Sequence, residues 1–282
     1  MLTAFRENKY FLALLRKFSK SFFFRYITKH RLSTSISDDY VFTNFCKKAA
    51  SNTETFKNFR SNEIFRTILE HTSPELGDEY LRVILDNSHD YKFISKFVVN
   101  DDVGMPEKHL YGKFGFISPS TLRYVKVLSD LKLKFGDLNG KKIVEIGGGY
   151  GGQARVLFLE FMNLDYTIID LPEVLLLINK FTESANLNSG KLNLFSALDF
   201  PTIKSDLVIS NYAFSELIRE HQIEYLNKII NNSDRGYITY NNINPLEFQS
   251  LTIEEFSKFK SNCLIESEMP ESWPGNKIVS WR

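Results

Sequence analysis

The spacing of apolar positions changes once along this chain. Up to about residue 135 it is helical in kind. Residues 39–59 place Val41, Phe42, Phe45 and Phe56 at mixed helical spacing. Ser61-Asn-Glu63 precedes Ile64, Phe65, Ile68 and Leu69, which predicts a capped helix. Ser73-Pro-Glu75 predicts another helix start, with Leu81, Val83, Ile84 and Leu85 behind it. Phe93, Phe97 and Val98 lead into the turn-forming Asn100-Asp-Asp-Val-Gly-Met-Pro106. Ile117-Ser-Pro-Ser-Thr121 opens a helix bearing Leu122, Tyr124, Val125, Val127 and Leu128.

From Gly140 the pattern switches to short apolar runs alternating with helical stretches. Strands are predicted at 143–146, 166–170, 192–195, 206–210 and 236–240. Helices are predicted from Gly152, from Pro172 to about Phe181, and over 214–230. Residues 264–266 and 277–281, separated by a Pro/Gly-rich turn, read as a closing hairpin. Strands that alternate with helices predict an α/β fold: a doubly wound, mostly parallel sheet, here with a closing antiparallel hairpin and a helical N-terminal region. The division falls at residues 1–130 and 131–282.

Composition adds few constraints. The chain has 282 residues, 43% of them hydrophobic and 24% charged, as in an ordinary globular protein. Cys46 and Cys263 offer neither a disulfide framework nor paired metal spacing, which fits a reducing cytoplasm. The five histidines are scattered without zinc spacing, so no metal site is predicted. The net charge of +1 conceals an asymmetry, because residues 1–36 carry eight Lys/Arg against one acid. The aromatic-rich stretch 10–24 lies within that basic segment. A first helix packed on its own domain, a peripheral contact with an acidic membrane surface and a transit segment are all compatible with it. The second half is not basic, which argues against a nucleic-acid substrate.

The chemistry gathers in Lys142-Ile-Val-Glu-Ile-Gly-Gly-Gly-Tyr-Gly-Gly152. Gly147, Gly149 and Gly151 follow a strand and precede a helix. Glycine tolerates positive φ and lets a ligand approach the backbone, and a helix start adds unpaired N–H groups. Asp170 ends the next strand 19 residues after Gly151, where an acid can accept from two ribose hydroxyls. Asn211 sits at the carboxyl end of the fourth strand, where open α/β sheets bind ligands. A dinucleotide fingerprint fits less well. Read as Gly149-Tyr-Gly-Gly-Gln-Ala154, it leaves Gly147 and Gly148 inside the strand end. Glu145, Gly147, Gly149 and Gly151 instead match the methyltransferase pattern of an acid followed by three alternating glycines.

Residues 144–153, 169–172 and 210–217 resemble the cofactor-binding segments of a sugar O-methyltransferase family, within the class I S-adenosylmethionine-dependent methyltransferases. Residues 100–106, 118–124 and 274–277 are similar to that family too. The resemblance covers about residues 95–282 and implies a Rossmann-like methyltransferase fold. It implies S-adenosylmethionine as cofactor, held by Glu145, Gly147, Gly149, Tyr150, Gly151, Asp170, Leu171, Ser196, Ala197, Asn211 and Tyr212, with Arg123 for the cofactor carboxylate. It also implies in-line methyl transfer to a sugar hydroxyl of a surface-glycan or nucleotide-sugar precursor. The helical region 1–130 would then cap the cleft, supply acceptor contacts and offer a surface for a homodimer.

A hydroxyl acceptor benefits from a base, by roughly 10²–10⁴-fold. Glu216 and His221 are the candidates; their five-residue separation is not a same-face helical spacing, so they are alternatives. Asp101 and Asp102 are placed to approach from a lid. Two other readings stay open: methylation of another small molecule such as a phenol or amine, and a methyltransferase-like domain that binds without catalysis.

Overall fold

The computed structural model describes residue 35 and residues 39–282 apart from 89, 90, 186 and 188. The stretch 10–24, and with it the membrane contact read from its charge, lies outside the described residues. Helices come first: α1 (Tyr40–Ser51), α2 (Thr53–Lys57), α3 (Glu63–Ile68), α4 (Pro74–Ser88), α5 (Tyr91–Ser95) and α6 (Pro119–Phe135). A small hairpin, β1 (His109–Leu110) with β2 (Phe116–Ile117), precedes α6.

Side chains set the helix ends. Asp39 caps α1 by accepting from the Val41 N–H at 2.7 Å. Asn52 both ends α1 and caps α2, accepting from the Thr55 N–H at 2.8 Å, so the stretch 39–59 forms two helices at an angle to one continuous rod. Asn62 caps α3. Pro119 opens α6, and Gly136 at φ 75° closes it.

Seven strands follow in one sheet: β3 (Lys142–Ile146), β4 (Leu164–Asp170), β5 (Gly190–Ser196), β6 (Ser205–Asn211), β7 (Ser233–Tyr240), β8 (Leu264–Ser267) and β9 (Lys277–Trp281). Their order is β5-β4-β3-β6-β7-β9-β8. The first five are parallel, and β9 lies antiparallel between β7 and β8. Between them run α7 (Gly152–Glu160), α8 (Pro172–Ser184), α9 (Arg219–Lys228) and α10 (Ile253–Phe259). This is the expected doubly wound, mostly parallel sheet with its closing antiparallel hairpin.

Alternation along the strands divides the core. Ile143, Tyr166, Ile168, Leu207 and Ile209 join one cluster that reaches Phe59, Phe65, Tyr80, Leu122 and Phe181. Val144, Ile146, Val208 and Ile238 face a second, with Tyr225, Leu226 and Phe256. The N-terminal helices are laid on the first face, with α1 against α8 and α4 against α6. Thr34–Arg282 forms one compact unit. Among the described residues no helix is long and apolar enough to cross a membrane.

One expected helix is broken. The stretch 214–230 begins as a 3-10 turn, Ala213–Glu216, and the α-helix starts only at Arg219. Ser210 Oγ takes the Phe214 N–H at 3.0 Å, and Ser215 Oγ donates to the Tyr212 carbonyl at 2.6 Å. These local bonds compete with the helix. Leu217 is extended and bridges to Ser35. Glu216 therefore stands on a turn at the end of β6.

Candidate active site

The order of strands reverses between β3 and β6, and ligands of open α/β sheets sit at the carboxyl ends flanking such a point. The glycine loop occupies this place. Gly147, Gly149 and Gly151 adopt φ of 77°, 61° and 91°. A Cβ on Gly147 would lie 2.1 Å from that of Ala213, so only glycine fits where the ends of β3 and β6 converge. Gly151 caps α7 in a left-handed conformation.

Asp170 ties the loop to β4. Its Oδ2 accepts from the Gly148 and Gly149 N–H groups at 2.8 and 3.2 Å, and its Oδ1 from Leu171 at 2.7 Å. Burial pushes its carboxyl up to about 6, against the downward pull of those three amides. Ser196 pairs with Asp170 across the β4–β5 ladder, and the Ala197 N–H donates to the Asp170 carbonyl at 2.8 Å. Asn211 ends β6; its Nδ2 donates to Gln153 at 3.3 Å, and its buried Oδ1 has no protein partner.

Two residues expected at the cofactor lie beneath the loop instead. Glu145 is 1% exposed and accepts from the Tyr166 hydroxyl at 3.0 Å. Burial pushes its carboxyl up to about 8, with the Tyr166 bond opposing and the Asp170 charge adding. It supports the loop without lining it. Tyr150 is wholly buried, packed against Phe59, Phe65, Tyr124 and Phe181. The next residue has positive φ, and a loop turning outward there sends the Tyr150 ring into the core. Only its main chain belongs to the loop.

A buried polar network missed by the sequence reading grips that ring. The Arg60 guanidinium lies 4.6 Å from its centroid and pairs with Glu70 at 2.6 Å and Asp101 at 3.3 Å. Asn100 donates to the Tyr150 hydroxyl at 3.2 Å and to Thr121 at 2.8 Å. Asp101 also accepts from the Ser118 N–H at 2.7 Å. Asp101 is thus a buried structural acid and not a lid residue; Asp102 beside it is exposed.

Just past the end of β6, Tyr212 adopts φ 70°, a strained value for an aromatic residue and of the kind found at functional sites. Its hydroxyl donates to Glu268 and lies 3.0 Å from Ser272 Oγ. Asn276 holds Glu268 in turn at 2.9 Å. Glu216 accepts from Asn241 Nδ2 at 2.7 Å; burial raises its carboxyl, opposed by that bond and by the Arg123 charge. Arg123 donates to the Leu69 carbonyl at 3.2 Å. Leu69 also covers Gly149, its methyls 3.6 Å from where a Cβ would stand. His221 lies elsewhere: on α9 it faces Glu224 of its own helix at 3.8 Å, and no described contact joins it to Glu216. His71, in the turn after α3, feels the charge of Arg123 from α6: desolvation and then that charge push its imidazole down to about 4. Among the described residues no three His, Cys, Asp or Glu side chains converge as metal ligands.

No family profile matches the sequence, and no curated protein matches it. Solved structures similar in fold include an O-methyltransferase family 2 protein from Planctomyces limnophilus, in complex with apigenin. It is 15% identical, with 54% of this chain and 52% of that one covered and a TM-score of 0.39. The mitomycin 7-O-methyltransferase MmcR is 18% identical over 57% of this chain and 56% of its own, with a TM-score of 0.40. PKMT2 from Rickettsia typhi, in complex with S-adenosylhomocysteine, is 21% identical over 38% and 22%, with a TM-score of 0.31. The chain thus spans about half the length of the first of these or less of the last, and such distant likenesses bring it no substrate.

Proposed function

We propose that this chain is an S-adenosylmethionine-dependent O-methyltransferase that acts on a sugar hydroxyl of a glycan or nucleotide-sugar precursor. One observation carries the reading. Six segments far apart in sequence bear the family resemblance, and they meet around one edge of the sheet. Residues 144–153 form the glycine loop and 169–172 hold its amides through Asp170. Residues 210–217 carry Asn211, Tyr212 and Glu216. Residues 100–106 and 118–124 brace Tyr150 from below through Asn100 and Thr121. Asn276, from 274–277, holds the glutamate that holds Tyr212.

The residues present fit the cofactor. Gly147, Gly149 and Gly151 give the loop its positive-φ turns, Asp170 holds the loop from the end of β4, and the Asn211 carbonyl is an acceptor without a protein partner. When bound, S-adenosylmethionine supplies a methyl group on a positive sulfur. The chain's own task is to hold an acceptor oxygen in line with that carbon, which contributes several kcal/mol, and to take the hydroxyl proton. Glu216 is the group for the proton. It stands at the end of β6, and its raised carboxyl makes it a stronger base than an exposed glutamate. The helices before residue 130 supply the remaining acceptor contacts, through His71 and Tyr80.

Calorimetry tests the reading. S-adenosylhomocysteine and S-adenosylmethionine should each release heat at a single site, and NAD none. Heat from NAD with neither sulfur compound binding would reject it.

A further inference from the structure

The two arginines of the helical layer, Arg60 fully buried and Arg123 half-buried, are treated differently. Arg60 is neutralised, with Glu70 and Asp101 both within ion-pair distance. Arg123 is not. Among the described residues no carboxylate lies within ion-pair distance of it; Nη2 donates to the Leu69 carbonyl, and Nε is buried without a partner. The acidic groups nearest it are the phenols of Tyr124, Tyr212 and Tyr80. Glu216 feels its charge from farther off, without an ion pair. A guanidinium with its Nε buried and unpartnered carries an unmet desolvation cost, which a ligand that accepts from it would remove.

Its surroundings say what completes it. His71 is exposed, and desolvation beside its neighbours and then the Arg123 charge lower its imidazole to about 4, opposed by the Ile68 carbonyl. It stays neutral beside Arg123 and brings no second positive charge. The Tyr80 hydroxyl is buried near the Tyr212 and Ser272 hydroxyls, without a well-aligned hydrogen bond to either. The Tyr212 hydroxyl is already committed to Glu268. This wall offers one cation with an unused Nε donor, a buried phenol and no second cation. It suits a group with one negative charge and two acceptor oxygens, which a guanidinium binds in its fork. A phosphate dianion would ask for more positive charge than the wall provides.

We infer that the acceptor is a hydroxy acid whose carboxylate docks on Arg123, beside His71 and Tyr80, while its hydroxyl lies toward Glu216. Among sugars that means a uronic acid. The inference rests on the methyltransferase reading and deepens it. The cofactor's own carboxylate is the rival source of the same chemistry, and the experiment separates the two.

The affinity of the full chain for S-adenosylhomocysteine is measured first. No affinity overturns the methyltransferase reading and this inference with it. The saturated protein is then titrated with glucuronate and 4-hydroxybenzoate, each against its matched carboxamide. At least one acid should bind at least about tenfold more tightly than its amide. No preference for either acid overturns the inference alone. Arg123→Gln should abolish the preference and leave S-adenosylhomocysteine affinity within about threefold. If that variant instead loses about tenfold for S-adenosylhomocysteine but nothing for 5′-methylthioadenosine, which lacks the carboxylate, Arg123 serves the cofactor and the inference falls. Should Arg123→Gln fail to fold, wild-type protein still decides. In the acid complex the His71 imidazole, relieved of an unpaired neighbouring charge, should titrate at higher pH by NMR than in the amide complex; identical titrations overturn the inference.

Discussion

At the scale of single residues, burial and charge separate side chains that the sequence could only rank as equals. Glu216 and His221 both followed the fourth strand as candidate bases. Glu216 is half-buried, held by Asn241 and raised by desolvation, whereas His221 lies on α9 facing Glu224 of its own helix. With an accepted substrate, Glu216→Gln should lower kcat by roughly 10²–10⁴-fold while the cofactor dissociation constant stays put. His221→Ala should change kcat by less than about twofold, the size expected of a group outside the chemistry. The reverse pattern in steady-state kinetics would move the base to α9. Glu145 makes a prediction about stability. Its carboxyl is raised from 4.5 to about 8 in the folded chain. Between those values the folded state keeps a proton that the unfolded state has released. Stability from this group is therefore full below pH 4.5 and is lost as pH rises toward 8, by at most about 1.4 kcal/mol per unit. Glu145→Gln keeps an acceptor for Tyr166 and has no such slope. Urea unfolding of the two proteins from pH 5 to 8 should show the variant gaining steadily on the wild type. Parallel curves would mean that Glu145 stays ionised.

At the scale of elements, what could be read in advance was what local pattern determines. The β-branched runs gave β3, β4, β6 and β7, and the glycine spacing gave the loop with Asp170 opposite it, because both signals lie within a few residues. The break at 217 was not legible. The apolar spacing there is helical, and the bonds that interrupt it, from Ser210 and Ser215, depend on β6 ending where it does. Tyr150 was misplaced for a similar reason. In sequence it is a loop residue; only α3, α6 and the turn at 98–102, folded together, show the pocket its ring fills. The Arg60 network that joins those elements was invisible because its members, Arg60, Glu70, Asn100, Asp101 and Ser118, are spread over 58 positions. It predicts a large effect from a residue that touches no ligand. Arg60→Ala leaves Glu70 and Asp101 buried without a counter-charge, which should cost about 3–5 kcal/mol in chemical denaturation. A loss below about 1 kcal/mol would mean that water enters and solvates the pair.

At the scale of the whole molecule, the question is whether the helical layer and the sheet are one cooperative body. The hydrophobic contacts say that they are, since Phe59, Phe65 and Tyr80 belong to the same cluster as Ile143, Tyr166 and Leu207. Residues before α6 therefore complete the core of the sheet's first face. The chain carries its own probes for this. Both tryptophans, Trp273 and Trp281, fall within the closing hairpin region, and Trp281 is 3% exposed, so their fluorescence reports the far edge of the sheet. Circular dichroism at 222 nm reports the helices. The two signals should melt together, as in a two-state unit. S-adenosylhomocysteine at about a hundred times its dissociation constant should stabilise that unit by about 2.7 kcal/mol. At about 2–4 °C per kcal/mol for a chain of this size, both transitions should then rise together by about 5–10 °C. Helices melting ahead of the tryptophans, with only the later transition moved by ligand, would instead make the helical layer a separate domain resting on a self-sufficient sheet.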